Sequence, residues 1–199
     1  MFYANDALVN LVTLQLLAGG WRILQIFQKD TEEDHVDFLL ERFQPVGRTV
    51  LDVGCGTGDV ARLMNKRRPD LKFHLLNFSP SQLALCPEHF DRIHADAHNI
   101  PLPDNAVDNV MACYVMGHLR KNEALREFER VVKPGGVIFI YDVTGGEIEE
   151  LEYTAHHYEN AQDVSDQVSC NRFLELMPSF RDKFPHIKPI IWREVKHFG

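Results

Sequence analysis

Apolar residues recur at helical spacing near the start of the chain and predict a helix over 6–17, stopped by Gly19 and Gly20. A second helix is predicted from Thr31, whose hydroxyl caps it while Asp34 closes a capping-box-like pair. Val36, Leu39, Leu40 and Phe43 share one face of that helix, and Pro45 and Gly47 end it. From residue 48 the pattern changes to short apolar runs alternating with helical segments. The runs predict strand 48–53, helix 58–67, strand 71–77, helix 80–86, strand 91–94, strand 108–113, helix 121–132 and strand 136–142. Such alternation implies an α/β fold of three layers, a mostly parallel sheet of about six or seven strands with helices on both faces. Val137 to Tyr141 is continuously apolar, as a strand buried on both faces should be. Beyond Pro185 only 187–198 remains for strands and Pro189 interrupts it, so the last pairing is expected to shrink to one strand. The exposed edge that results would be covered by an oligomer contact, possible in a homodimer. The whole chain is expected to form one domain: a helical lid over 1–45, a ligand-binding core over 46–142, and C-terminal helices with the last strand over 143–199.

In open parallel sheets ligands lie beyond the carboxyl ends of the strands, so the chemistry should be read from those ends. The first predicted strand runs into Gly54, Gly56 and Gly58 just before a helix, with Asp52 two residues ahead of the first glycine. Alternating glycines there let a ligand press against bare main chain where helix N–H groups converge. A dinucleotide fold needs its third glycine three positions after the second. That position is Asp59, and Gly58 comes one residue early. The second strand ends at Asn77 and Phe78, and Ser79-Pro80 then caps a helix. The third ends in His94-Ala95-Asp96-Ala97, followed by a rigid Pro101-Leu102-Pro103 turn. The fourth ends at Cys113 and continues through Tyr114, Val115, Met116, Gly117 and His118. His118 has the side chain best suited to act as a base near neutrality, and serves equally well as a helix cap. Lys133-Pro134-Gly135-Gly136 reads as a structural turn before the fifth strand.

Composition narrows the partners. A formal charge of −8 argues against nucleic acid as a partner. Cys55, Cys86, Cys113 and Cys170 are scattered without a C-x-x-C pair, which fits a reduced, cytoplasmic protein. The apolar run over 7–18 carries Asn10, Thr13 and Gln15 and is too short to span a bilayer, so no membrane association is expected. The pair His156-His157, flanked by Tyr153 and Tyr158, points its rings apart on a helix and has no evident third ligand, so no metal site is expected. Tyr3, Trp21 and Phe27 suit either an aromatic lid or core packing.

The string Asp52-x-Gly54-x-Gly56-x-Gly58 resembles motif I of the class I S-adenosylmethionine-dependent methyltransferases, of the small-molecule type that includes the ubiquinone and menaquinone C-methyltransferases. Asp96-Ala97 followed by Leu102-Pro103-Asp104 and Asp108 resembles a second stretch of that family, and the likeness covers about residues 48 to 142. It implies a Rossmann-like fold and S-adenosyl-L-methionine as cofactor. By that resemblance Asp52, Gly54, Cys55, Gly56 and Gly58 hold the amino-acid tail and ribose, with Asn77 and Phe78 beside the ribose. Asp96 would accept from the adenine amine, and the Ala97 N–H would read a ring nitrogen. Cys113 would flank the methyl group, with Tyr114 and His118 positioning or deprotonating the acceptor. Asn77 departs from the usual carboxylate at its position; an amide can accept from one ribose hydroxyl and donate to the other. The implied reaction is methyl transfer to a small molecule. An RNA or protein methyltransferase, a protein using the sulfonium charge for a rearrangement, and a pure cofactor binder remain the alternatives.

Overall fold

The computed structural model describes residues 6, 7, 11, 14, 31–144, 162–163 and 188–197. Within them the chain runs α1 (Glu32–Phe43), β1 (Thr49–Val53), α2 (Asp59–Arg67), β2 (Lys72–Asn77), α3 (Pro80–Leu85), β3 (Asp91–His94), β4 (Val107–Cys113), α4 (Lys121–Val131), β5 (Val132–Thr144), β6 (Gln162–Asp163) and β7 (Lys188–Val195). These strands form one sheet in the order β3-β2-β1-β4-β5-β7-β6. The first five are parallel; β7 runs antiparallel to β5, and β6 antiparallel to β7. The three-layer, mostly parallel Rossmann-like sheet expected from the alternation is therefore the fold. Of the helix predicted over 6–17, the described residues 6, 7, 11 and 14 are helical.

Side chains alternate between two apolar layers, as a pleat demands. Val50, Leu75, Met111, Val137, Phe139 and Tyr141 pack with α1, α2 and α3 on one face. Leu51, Leu76, Ala112, Ile138 and Ile140 pack on the other with Ala124, Leu125, Phe128 and Val131 of α4. The Val137–Tyr141 run is buried throughout, as its unbroken apolarity implied. Thr31 caps α1 as predicted: its Oγ1 accepts from the Asp34 N–H at 3.1 Å and donates to Asp34 Oδ2 at 2.6 Å.

Two local expectations change. Lys133 to Gly136 is not a turn ahead of the strand but an excursion inside it. β5 already pairs at Val132, and the register slips between Val107 and Asn109. Lys196, just past β7, clamps the excursion, the Gly135 N–H donating to Lys196 O at 2.7 Å and the Lys196 N–H to Gly136 O at 2.9 Å. A Cβ on Gly136 would sit 2.4 Å from the Asp108 carbonyl oxygen, so no other residue fits. Nor does Pro189 break β7, where it pairs opposite Val143. It stands second in the strand, where a missing N–H takes little from the ladder. The terminal hairpin is thus one eight-residue strand with a two-residue edge partner. Among the described residues no helix is long and apolar enough to cross a membrane.

Candidate functional site

The carboxyl ends of β1 to β4 lie along one edge of the sheet, and the candidate cofactor and catalytic residues named from the sequence follow those ends. Gly54, Gly56 and Gly58 all adopt left-handed φ, at 70°, 57° and 76°, which L side chains enter at a cost of about 1–2 kcal/mol. Their surroundings differ. A Cβ on Gly54 would meet Val115 Cγ2 at 2.3 Å, and one on Gly58 would meet Leu75 Cδ1 at 3.0 Å. One on Gly56 would meet nothing within 4 Å. Gly54 and Gly58 are needed for packing, whereas Gly56 faces open space over the sheet edge. The Gly54 and Cys55 N–H groups both donate to Leu76 O, at 2.8 and 3.1 Å, which ties the loop to β2.

Asp52 lies beneath this loop, 2% exposed, and its Oδ2 has no hydrogen-bond partner among the described residues. Burial raises its carboxyl pKa to about 7. A buried oxygen without a partner is costly, and a cationic donor that reached it would relieve that cost. Cys55 is half-buried and Cys113 buried; Cys113's thiol pKa is pushed well up, first by burial and then by the nearby Asp52 charge.

At the end of β2 the structure changes the chemistry expected of Asn77. Its Nδ2 donates to Gln82 Oε1 at 2.9 Å and to Gly56 O at 3.3 Å, and its Oδ1 accepts from the Ser79 N–H at 3.2 Å. Both amide hydrogens are spent on the loop and on α3, so the donation to a ribose hydroxyl is unavailable and only an Oδ1 lone pair remains. Phe78, next in sequence, is about half exposed. Its carbonyl oxygen is 3.1 Å from His94 Nε2.

Asp96 stands past β3, with its side chain 45% exposed. Oδ1 accepts from the His98 N–H at 2.9 Å and is hydrogen-bonded to His98 Nδ1. Those bonds help hold the Asp96 pKa below the usual carboxylate range against the opposing effect of burial, the largest single influence on it. Ala97 beside it is buried. The following turn is held from α4: the Ile100 N–H donates to Glu127 Oε2 at 2.7 Å, and Arg130 donates to Ile100 O at 2.9 Å and Leu102 O at 2.7 Å.

Beyond β4, Tyr114 takes a left-handed φ of 61°, rare for a bulky residue, while its N–H donates to Tyr141 O at 2.8 Å. Its hydroxyl is hydrogen-bonded to Nε2 of His35, a buried histidine of α1 packed among Phe38, Tyr114 and Tyr141. Burial lowers the His35 pKa to about 4 and drives the Tyr114 phenol well above its ordinary value. His118 is exposed on the 3₁₀ turn Met116–His118. Desolvation lowers its pKa, opposed by the Asp142 charge. Asp142 on β5 fixes that turn by accepting from the Met116 N–H at 2.7 Å. His35, His98 and Asp142 were not singled out in the sequence. None of the three belongs to a motif or to the apolar face read for the helix from Thr31. Tyr3, Trp21, Phe27, Tyr153, His156, His157, Tyr158 and Cys170 lie outside the described residues.

Residues 51–140 match the family described as "Methyltransferase domain". Over those residues the chain is similar to methyltransferases, and the match takes in 90 of its 199 residues. A malonyl-[acyl-carrier protein] O-methyltransferase of Yersinia pestis is 30% identical over 164 residues, covering 72% of this chain and 58% of its own length. A demethylmenaquinone methyltransferase of Thermotoga maritima is 33% identical over 98 residues, 47% of this chain and 43% of that protein. The chain therefore spans less than two thirds of the length of these curated relatives. Among solved structures, the [4+2]-cyclase SpnF superposes with a TM-score of 0.77 at 20% identity over 98% of this chain and 96% of that one. Geranyl diphosphate C-methyltransferase of Streptomyces coelicolor, solved with S-adenosyl-L-homocysteine, superposes at 0.62 and 14% identity over 83% and 80%. At such identities the likeness establishes the fold. The residues at these strand ends fit the cofactor of such methyltransferases on their own terms: open space at the Gly56 Cβ position, a buried Asp52 oxygen with no partner among the described residues, and a half-exposed Asp96 carboxylate.

Proposed function

We propose that this domain binds S-adenosyl-L-methionine across the carboxyl edge of the sheet and transfers its methyl group to a small-molecule acceptor. The observation that carries the reading is the unpartnered Asp52 oxygen beneath a glycine whose Cβ position is empty. In this reading Asp52 pairs with the cofactor's ammonium group, and the main chain of Gly54, Cys55, Gly56 and Gly58 cradles the tail and ribose. Asn77 Oδ1 accepts from one ribose hydroxyl, Phe78 covers the nucleoside, and Asp96 with the Ala97 N–H reads adenine. Cys113 lines the place of the reacting methyl. Once bound, the cofactor supplies an electrophilic methyl on a sulfonium, so the protein's main task is to align the acceptor with it.

The acceptor-side residues divide by their proton chemistry. Tyr114 remains a phenol at physiological pH, because burial raises its pKa, and its role is to orient the acceptor through a hydroxyl anchored on neutral His35. His118 is neutral near pH 7 and exposed, so it is the residue able to take a proton if the acceptor must lose one. Two relatives act on a malonyl group carried by a protein and on demethylmenaquinone. An acidic carrier protein would be repelled by a chain of charge −8, which favours a free, uncharged acceptor.

The test is incubation with methyl-labelled S-adenosylmethionine and a panel containing a demethylated naphthoquinol, a malonyl thioester and total small-molecule extract. S-adenosylhomocysteine release with label in the solvent-extractable fraction is the expected result. Label in precipitable protein or RNA would overturn the small-molecule acceptor. Acceptor turnover without S-adenosylhomocysteine would replace transfer by rearrangement, and failure to bind the cofactor would overturn the whole reading.

A further inference from the structure

We propose that His98 is a positioning residue for nucleobase recognition: it aims the Asp96 carboxylate and locks the base-binding loop to the start of α4. This rests on the cofactor reading above and deepens it. The His98 side chain is 10% exposed and contacts polar partners at both ring nitrogens. Nε2 accepts from the Arg120 N–H at 2.9 Å. A peptide N–H can only donate, so Nε2 carries no proton, and in the neutral ring the proton sits on Nδ1. Nδ1–H therefore donates to Asp96 Oδ1, the oxygen that also accepts from the His98 N–H. With Oδ1 occupied twice, the carboxylate cannot rotate freely, and Oδ2 is the oxygen left for a ligand amine.

The second half of the clamp acts on α4. Arg120 is the N-cap of that helix and makes no side-chain capping bond. His98 therefore substitutes for a cap from across the sheet edge, in the way any acceptor at a helix N-terminus would. The loop after β3 and the segment after β4, which carries His118, are joined through one imidazole.

The inference is tested with S-adenosylhomocysteine and its 6-oxo analogue S-inosylhomocysteine, which lacks the exocyclic amine that Asp96 would accept from. Calorimetric affinities for both ligands are measured on the full chain, with thermal melts as a check on folding. The wild type should prefer the adenine ligand by tenfold or more, about what a hydrogen bond to a charged group supplies. His98→Ala should lose about tenfold in affinity for S-adenosylhomocysteine and most of that preference. His98→Phe, which keeps the ring volume, should behave likewise and serves if the alanine variant does not fold. His98→Asn, which places an amide N–H near the position of Nδ1–H, should restore the preference. A role in packing alone would lower affinity for both ligands equally. An unchanged preference in the folded His98→Ala or His98→Phe protein overturns the inference and leaves the cofactor reading intact. A wild type that binds neither ligand overturns both.

Discussion

At the scale of single residues, the three glycines of one motif do different work. Gly54 and Gly58 have neighbours where a side chain would go, and Gly56 has none. Gly56→Ala should therefore fold, at a cost of about 1–2 kcal/mol from its left-handed backbone, yet lose cofactor binding because its methyl enters the ligand's space. Gly54→Ala, pressed against Val115, should instead lower the melting temperature substantially. Parallel melts and S-adenosylhomocysteine titrations check both, and tight binding by Gly56→Ala would contradict the placement of the cofactor. The motif was legible in the sequence because spacing survives without coordinates. The division of labour inside it was not, since it depends on what the rest of the chain brings alongside. Asn77 makes the same point: its residue type suggested a donor to ribose, and the fold commits its hydrogens to Gly56 and Gln82.

Among the elements, the strands and helices of the core followed from periodicity, and their bounds moved by a residue or so except where β5 begins early. What the pattern could not reveal is how loops are held from elsewhere. The Asp108 that closes the second family-like stretch is a structural staple. Its Oδ2 accepts from the Arg48 N–H at 2.8 Å and from Thr49 N and Oγ1 at 2.9 Å, and Oδ1 accepts from Lys133 Nζ at 2.7 Å. Similarly, α4 carries Glu127 and Arg130 one turn apart, a pair that no motif marks in the sequence. In the fold they bind the main chain of the Pro101–Pro103 turn behind Asp96. Arg130→Met should then cost about 2–3 kcal/mol in urea unfolding, since it leaves the Ile100 and Leu102 carbonyls unmatched. It should also weaken S-adenosylhomocysteine binding without touching the ligand. A change below about 0.5 kcal/mol would mean the pair is merely a surface one.

For the molecule as a whole, two buried groups pull the pH dependence of stability in opposite directions. Asp52 holds a proton more tightly folded (pKa about 7) than unfolded (3.8), so between those values folding loses stability as pH rises. His35 holds its proton less tightly folded (about 4) than unfolded (6.5), so across that window stability rises with pH. The contributions offset each other near pH 4 to 6.5, and single variants should expose each slope. Asp52→Asn should stabilise the unliganded protein at pH 8 by roughly 2–4 kcal/mol and steepen its loss of stability in acid. His35→Gln should flatten that acid loss. Denaturant melts from pH 4 to 8 measure both, and identical profiles for wild type and variants would contradict the burial assigned to these groups. The offset is invisible in the sequence, because both residues become titration anomalies only when the sheet and α1 close over them.

The most direct measurement is a crystal structure of the full chain with S-adenosyl-L-homocysteine. The ligand should lie over the carboxyl ends of β1 to β3, with its amino group on Asp52, its tail above Gly56 and its adenine amine on the free oxygen of Asp96. Density for the nucleoside anywhere else, or an empty edge at saturating ligand, would contradict the assignment.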